Sequence, residues 1–174
     1  EIARTVASAL SAEMVPDPKV PAGSAGTLAA EGGTRSAQAF DAYLKGRALY
    51  DLSADEASER AALAQFDAAI AADPDYAPAH AARARSLTAI ANQYGKAGQL
   101  QELYESAIES ARRAIEIAPG LADAYSTLGF TLFQGKLDAR GAREPFERSK
   151  ELGAGEATVL ARYAQYSARV GRSR

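Results

Sequence analysis

The chain has 174 residues, 47% of them hydrophobic, and a formal net charge of −2. This length allows one or two domains with a buried core, and the near-neutral charge excludes a global basic field for nucleic acid or anionic lipid. The sequence has no Cys, which excludes disulfides, and no apolar run approaches the roughly 20 residues of a membrane span. Abundant alanine, no Trp and only 7 Pro predict an all-α chain.

The first part of the chain predicts a short helix and then a linker. Residues 1–14, EIARTVASALSAEM, read as an amphipathic helix belonging to a preceding domain. Its apolar face carries Ile2, Val6, Ala9 and Leu10. Residues 15–35 are rich in Pro, Gly, Ser and Ala, a composition typical of a flexible linker.

The following residues predict a helical hairpin. Its first helix begins after residue 34 or 36 and runs to about residue 51. Ser53 and Glu56 form a capping-box signature for its second helix, which runs to about residue 72. Pro78 suits the first turn of the next helix, because the missing N–H has no intrahelical acceptor there.

Two more hairpins and a final helix follow. A helix to about residue 94 is broken by Gly95 and Gly98, and its partner spans roughly residues 99–118. In the third hairpin Gly129 indicates a close approach of two helices, and Asp138 is the expected N-cap of the second helix. Pro145 lies inside that second helix and should kink it or delay its start. Residues 156–170 form the final helix.

The second helices of the three hairpins share one spacing. Each second helix carries three small or aromatic residues followed by a closing residue, at successive steps of four, three and five. The three sets are Ala62, Phe66, Ala69 and Pro74; Ala107, Ala111, Ala114 and Pro119; and Ala142, Phe146, Ser149 and Ala154. The length variation falls between the two helices of a hairpin, so the middle hairpin should be the longest. Its tip carries Tyr94, Leu100, Leu103 and Tyr104. These side chains either offer a partner-binding surface or pack against one another within the hairpin.

This pattern resembles the tetratricopeptide repeat, with a Leu-Gly pair in the first helix, Ala and Phe in the second and a closing proline. The resemblance implies repeats at about 36–76, 77–121 and 122–155 and a terminal helix, within a domain over 36–171. It implies a right-handed α-α superhelix whose first helices line the concave surface. The concave residues it implies for partner binding are Tyr43, Arg47, Tyr50, Arg85, Ser126, Phe130 and Phe133. The Lys and Asn of chaperone-binding members are replaced at matching positions, which include Ala81 and Phe130.

Signals of catalysis are weak. The stretch GFTLFQGK, residues 129–136, differs from a phosphate-binding loop in its glycine spacing and in the residue after Lys136. His80 is the only His, so a metal cluster or a Ser-His-Asp arrangement would have one imidazole at most. Four arginines of the last segment, including Arg162, suit a solvated helix end. We expect no enzyme activity, no cofactor and no metal site.

The whole chain is similar to the tetratricopeptide portion of bacterial adenylate cyclases and one-component transcription regulators that carry a TolB-like region. The start at Glu1 also favours an excised piece of a longer protein. The resemblance implies a protein-interaction scaffold of a larger bacterial signalling protein, with a protein or peptide partner. Two alternatives are a regulatory segment that packs on its own missing domains and a small-molecule-sensing solenoid. The sequence leaves open a cytoplasmic or periplasmic location and the oligomeric state.

Overall fold

The computed structural model describes residues 32–52 and 54–171. The predicted helix at 1–14 and most of the predicted linker lie outside these residues. Within them the chain forms seven α-helices and no strand. The helices are α1 Ala37–Asp51, α2 Glu56–Ala72, α3 Ala77–Tyr94, α4 Leu100–Ile117, α5 Ala122–Gln134, α6 Arg143–Leu152 and α7 Ala157–Arg169.

Among the described helices, α1 begins as its sequence predicts, but α2 does not. Ser36 is the N-cap of α1, and its hydroxyl accepts from the Ala39 amide at 3.1 Å. In α2 the predicted capping box is wrong. The cap is Asp55, whose carboxylate accepts from the Ser58 amide at 2.8 Å, while the Ser58 hydroxyl accepts from the Asp55 amide at 3.3 Å. Glu56 is the first residue after the Asp55 cap, where its negative charge interacts favourably with the positive N-terminal end of the helix dipole.

The start of α6 resolves the position of Pro145. Asp138 is not the N-cap, because α6 begins five residues later, at Arg143. The Asp138 carboxylate instead accepts from the Gly141 amide at 2.8 Å and closes a turn before the helix. Pro145 is therefore the third residue of α6, in the first turn, where its missing N–H removes no helical hydrogen bond. The predicted delay of the helix start is confirmed.

The helices pack as three successive hairpins plus α7. We refer to α1, α3, α5 and α7 as the first helices and to α2, α4 and α6 as the second helices. Each first helix contacts the next first helix, whereas no second helix contacts another second helix. A stack that is close along one side and open along the other curves toward the close side. The first helices therefore line the inner surface of an all-α solenoid.

The hairpins differ in length and in how tightly they close. Both helices of the middle hairpin have 18 residues, against 15 and 17 in the first and 13 and 10 in the third. A Cβ added to Gly129 would lie 2.9 Å from the Phe146 ring, and one added to Gly46 would lie 2.6 Å from the Phe66 ring. The close approach predicted at Gly129 is thus confirmed, and Gly46 makes the same contact in the first hairpin.

Candidate functional site

The inner surface contains a small groove to which all four first helices contribute. Tyr50 extends from the end of α1, Arg85 from α3, Phe130 from α5 and Arg162 from α7. The enclosed volume is about 200 Å³. Because each of these side chains comes from a different helix, the groove exists only when the solenoid is stacked.

Two arginines in this groove share one carboxylate. Arg85 Nη1 lies 3.5 Å from Asp123 Oδ2, and Arg162 Nη1 lies 3.7 Å from Asp123 Oδ1. Arg162 also donates to the Thr127 hydroxyl at 3.1 Å. Both ion pairs are long, and the buried Nε of Arg85 has no hydrogen-bond partner in the described part of the chain. Asp123 therefore lies within ion-pair distance of two guanidinium groups, and Glu59, a buried carboxylate of α2, also acts electrostatically on Tyr50 beside them.

Each guanidinium also lies over an aromatic ring. The Arg85 guanidinium carbon is 4.9 Å from the Tyr50 ring centre, and that of Arg162 is 5.3 Å from the Phe130 ring centre. Such contacts hold a cation over a ring face and limit the orientations of the guanidinium plane. The arginines are thus held in place by rings and by Asp123.

Burial changes the acid–base properties of the groove. It lowers the pKa of the Arg162 guanidinium; the Asp123 carboxylate opposes this, and the nearby positive charge of Arg85 adds to it. Burial also raises the pKa of the Tyr50 hydroxyl, against the effect of Arg85. The Arg162 side chain is 16% exposed, so an anion that reaches it meets a partly desolvated positive charge.

The structure places three of the predicted inner-surface residues in this groove, namely Tyr50, Arg85 and Phe130. Arg47 is exposed on α1, outside the groove. The other three have packing roles. Tyr43 packs against Tyr76 at 5.2 Å and Phe133 packs edge-on against Tyr166 at 5.3 Å, measured between ring centres. Ser126 is fully buried, so its side chain offers no surface to a partner and that prediction is wrong.

Sequence reasoning missed Arg162 and Asp123. The expectation that Arg162 belongs to a solvated helix end is wrong, because Arg162 packs into the groove. A usable signal exists in the spacing: Arg162 lies two residues before the small residue Ala164, as Thr127 lies two residues before Gly129. That position faces the preceding first helix, which the hydrogen bond from Arg162 to Thr127 demonstrates.

The tip of the middle hairpin packs inward in part. Tyr104 is only 9% exposed, and its hydroxyl donates to the Asn92 side chain at 2.7 Å. Its ring covers Gly135 at the end of α5. Leu100 folds back over Gly95, while Tyr94 and Leu103 are half-buried. Tyr104 therefore joins the long hairpin to the next one, which corresponds to the packing alternative.

A larger outer groove of about 1140 Å³ runs along the second helices. Several of its charged side chains are paired within the chain, including Arg83 with Asp67 at 2.7 Å and Lys136 with Glu105 at 3.1 Å. Arg83 also donates to the Ser110 hydroxyl at 2.5 Å. We favour the inner groove as the candidate site because it combines, from four helices, two partly buried arginines with aromatic rings.

Charge is distributed unequally between the two sides of the solenoid. The first helices hold six Lys and Arg against three Asp and Glu, whereas the second helices hold six against ten. The first helices are therefore net positive and the second helices net negative. In the residues that the structure describes, no three His, Cys, Asp or Glu side chains could hold a metal ion. None of the seven helices is long and apolar enough to cross a membrane.

Solved structures with the same fold are tetratricopeptide domains. The first such domain of Spaghetti (RPAP3), bound to the HSP90 peptide SRMEEVD, matches 78% of this chain and 95% of its own length, with a TM-score of 0.60 and 17% identity. The Sgt2 domain from Aspergillus fumigatus matches 79% of this chain and 82% of its own, with a TM-score of 0.61 and 19% identity.

A third structure is the second tetratricopeptide domain of human RPAP3 in complex with the HSP70 peptide SGPTIEEVD. It matches 75% of this chain and 95% of its own, with a TM-score of 0.56 and 21% identity. No family model and no curated protein matches the sequence. These likenesses establish the tetratricopeptide-type helical solenoid as the fold of this chain.

Proposed function

We propose that this chain is a protein-interaction module whose inner groove binds an acidic side chain of a partner segment. The observation that carries the proposal is the pair of arginines, Arg85 and Arg162, whose guanidinium groups converge on Asp123 at long ion-pair distances of 3.5 and 3.7 Å. A carboxylate from a ligand could approach both guanidinium groups more closely. Two unit charges 4 Å apart interact by about 4 kcal/mol at an effective dielectric of about 20, before the cost of desolvation is subtracted.

The rings beside the arginines extend this surface. Tyr50 and Phe130 present apolar area next to each guanidinium. Aromatic rings together with Arg are enriched at binding hot spots, because rings bury large areas at low entropic cost and Arg pairs with carboxylates in two-pronged geometry. The net positive charge of the first helices would guide an acidic segment toward the groove.

The size of the groove favours a side chain over a small molecule. Small-molecule sites usually enclose about 300–1,000 Å³, whereas this groove encloses about 200 Å³ and is continuous with the open inner surface. A single Asp or Glu side chain of an extended peptide fits such a volume. This observation argues against the small-molecule-sensing alternative.

The similar structures support binding of an acidic peptide without identifying it. Two of them hold the peptides SRMEEVD and SGPTIEEVD, each with two consecutive Glu residues. In this chain the sequence positions expected to bind chaperone tails include Ala81 and Phe130. We therefore propose a different acidic ligand, held by Arg85 and Arg162, and no catalytic activity.

The setting of the module is a further part of the proposal. We propose, on the resemblance of the repeat sequence described above, that the module belongs to a larger bacterial signalling protein. The acidic segment would then belong to a separate partner or to another domain of the same parent chain. The positions of Tyr94, Leu103 and Arg47 outside the groove allow them to contact the flanks of a longer ligand.

A peptide-display selection tests the binding proposal. We expect the full chain to enrich peptides with Asp or Glu from a random library. Arg162→Ala and Arg85→Ala should each weaken the selected peptides about 10- to 100-fold, the range of a buried charged anchor. Arg148→Ala is the matched control, because it removes the same charge from an exposed position on α6, where Arg148 pairs with Glu151.

The affinity should also fall as salt concentration rises, since the contact is ionic. Selected peptides without an acidic preference would contradict the proposed ligand. An equal loss in Arg148→Ala would contradict the proposed groove. Circular dichroism of each variant verifies that the helices are intact.

A further inference from the structure

The first helix of the solenoid exposes an apolar stripe. Phe40, Leu44, Ala48 and Leu52 follow one another at steps of four along α1 and its C-cap, and therefore lie on one side of the helix. Phe40 is 50% exposed, Leu44 46% and Leu52 82%. The opposite side of α1, with Ala39 and Ala42, is already buried in the core.

The repeat register identifies which neighbour this stripe lacks. Each first helix has a small residue at an equivalent position, which serves here as position zero: Gly46 in α1, Ala84 in α3, Gly129 in α5 and Ala164 in α7. On this scale Leu44 lies at minus two and Ala48 at plus two. In later first helices these positions contact the preceding first helix. Thr131 of α5, at plus two, exchanges a 2.7 Å hydrogen bond with Thr88 of α3, and Arg162 of α7, at minus two, donates to Thr127 of α5.

In α3 and α5, each of which follows another first helix, the same positions are buried. In α3 and α5 they are 0–1% exposed, and they are occupied by Ala82, Ser86, Thr127 and Thr131. On α1 they are exposed and apolar. The stripe is therefore a helix-packing face whose partner is missing from the described residues.

The positions that adjoin the stripe on α1 are charged and exposed. In α5 the residues at minus five and minus one, Ala124 and Leu128, pack in clusters shared with the preceding second helix α4. On α1 these two positions are Asp41 and Lys45, which form an exposed ion pair at 2.6 Å. Charged and more than 60% exposed, they offer no apolar surface to a second helix.

We propose that the amphipathic segment at residues 1–14 docks on this stripe as a single capping helix. Its residues Ile2, Val6 and Leu10 follow steps of four, as the stripe does. Fourteen helical residues span about 21 Å, which matches the 15-residue α1 at about 22 Å. The docked segment would be a helix without a hairpin partner at the α1 end of the stack, as α7 is at the opposite end.

The connection between the segment and the stripe is long enough. The described chain begins at Gly32, whose carbonyl accepts from the Ala77 amide at 3.0 Å. Between Met14 and Gly32 lie residues 15–31, which include Pro, Ala and Gly, and a flexible chain of that length has an end-to-end distance of about 20–25 Å. This distance is comparable to the length of α1, so the segment can reach the stripe without displacing any described residue.

Distance measurement between two spin labels tests this proposal. The chain has no Cys, so Ser11→Cys with Gln38→Cys places labels only on the segment and on the exposed rim of α1. We expect a narrow distribution of label distances. Val6→Glu on the segment and Leu44→Glu on the stripe should each abolish it, while Leu160→Glu, at an apolar position on α7 that is also exposed, should leave it unchanged.

Two further arrangements of labels identify other occupants. Mixing singly labelled Ser11→Cys and Gln38→Cys proteins detects docking on a second copy, and a narrow distance in that sample alone would overturn docking within the chain. A narrow distance from Ser11→Cys to Glu109→Cys, on the outer groove, would overturn the choice of surface. A broad distribution between Ser11 and Gln38, insensitive to Val6→Glu and Leu44→Glu, would overturn docking altogether.

Discussion

The outer hairpins and the middle hairpin close their two helices with different side chains at the same positions. Outer hairpins place a glycine of the first helix against a phenylalanine of the second, whereas the middle hairpin has alanine at both positions. The pairs are Gly46 with Phe66, Gly129 with Phe146 and, in the middle, Ala84 with Ala111. The repeat therefore fixes the positions of contact, and different pairs of residues fill them.

The two solutions distribute packing energy differently. In an outer hairpin, one buried phenylalanine ring makes a large share of the contacts between the two helices. In the middle hairpin, Ala84 and Ala111 share a cluster with Ile108 and Leu128, and two helices of 18 residues supply further contacts. Single substitutions should therefore disturb the outer hairpins more than the middle one.

The largest effect should come from removing an outer phenylalanine. Phe146→Ala should destabilise the chain by about 3–5 kcal/mol, because the ring is fully buried and α6 has only 10 residues with which to compensate. Urea denaturation followed by circular dichroism measures the loss. Ala111→Gly, at the same position of the middle hairpin, should cost only about 1 kcal/mol, chiefly from helix propensity. Equal losses in the two variants would contradict the comparison.

A smaller effect is expected from adding a methyl group where the outer helices touch. Gly129→Ala and Gly46→Ala would bring Cβ within 3 Å of a ring, and such overpacking costs about 1–3 kcal/mol. Better helix propensity returns about 1 kcal/mol, so we expect a net loss of up to about 2 kcal/mol.

Glycine at position 98 provides the control for that experiment. A Cβ added to Gly98 meets nothing within 4 Å, so Gly98→Ala should be neutral or slightly stabilising. Thermal unfolding of the three variants distinguishes overpacking from a general response to alanine. Stabilisation by Gly129→Ala would show that the ring moves aside at little cost.

Much of this architecture could be predicted from the sequence, because helix packing leaves periodic traces. The recurring steps of four, three and five in the second helices predicted three hairpins, and Gly129 predicted a close approach. Where local alternatives compete, the prediction failed. Ser53 with Glu56 and Asp55 with Ser58 are both plausible capping boxes, and the length of the preceding turn decides between them.

The inner groove was harder to predict, because it depends on side chains that meet across four helices. Tyr50, Arg85 and Phe130 were predicted from the repeat pattern. Local composition predicts that Arg162 is solvated, because basic residues at a helix end are usually exposed to solvent. Its burial follows from the register of α7 on α5, which local composition does not contain.

The smallest expected effect concerns His80, a titratable side chain of the middle hairpin at a position that the outer hairpins fill with other residues. Four residues before the small residue, the outer first helices carry Ala42 and Tyr125, whereas α3 carries His80. Burial lowers the pKa of His80, and the positive charges of Arg113 and Arg83 add to this. The hydrogen bond to the Pro74 carbonyl at 2.9 Å and the charge of Asp75 oppose it.

The sign of the pH dependence follows from this lowered pKa. Below the unfolded pKa of about 6.5 the unfolded chain binds the proton more readily than the folded chain, so stability falls as the pH falls from about 7 to 5. His80→Asn should remove this part of the slope, measured by urea denaturation at several pH values. An NMR titration of the single imidazole should give a midpoint below 6.5. A midpoint above 6.5, or a slope unchanged in His80→Asn, would show that His80 is not the source of this acid sensitivity.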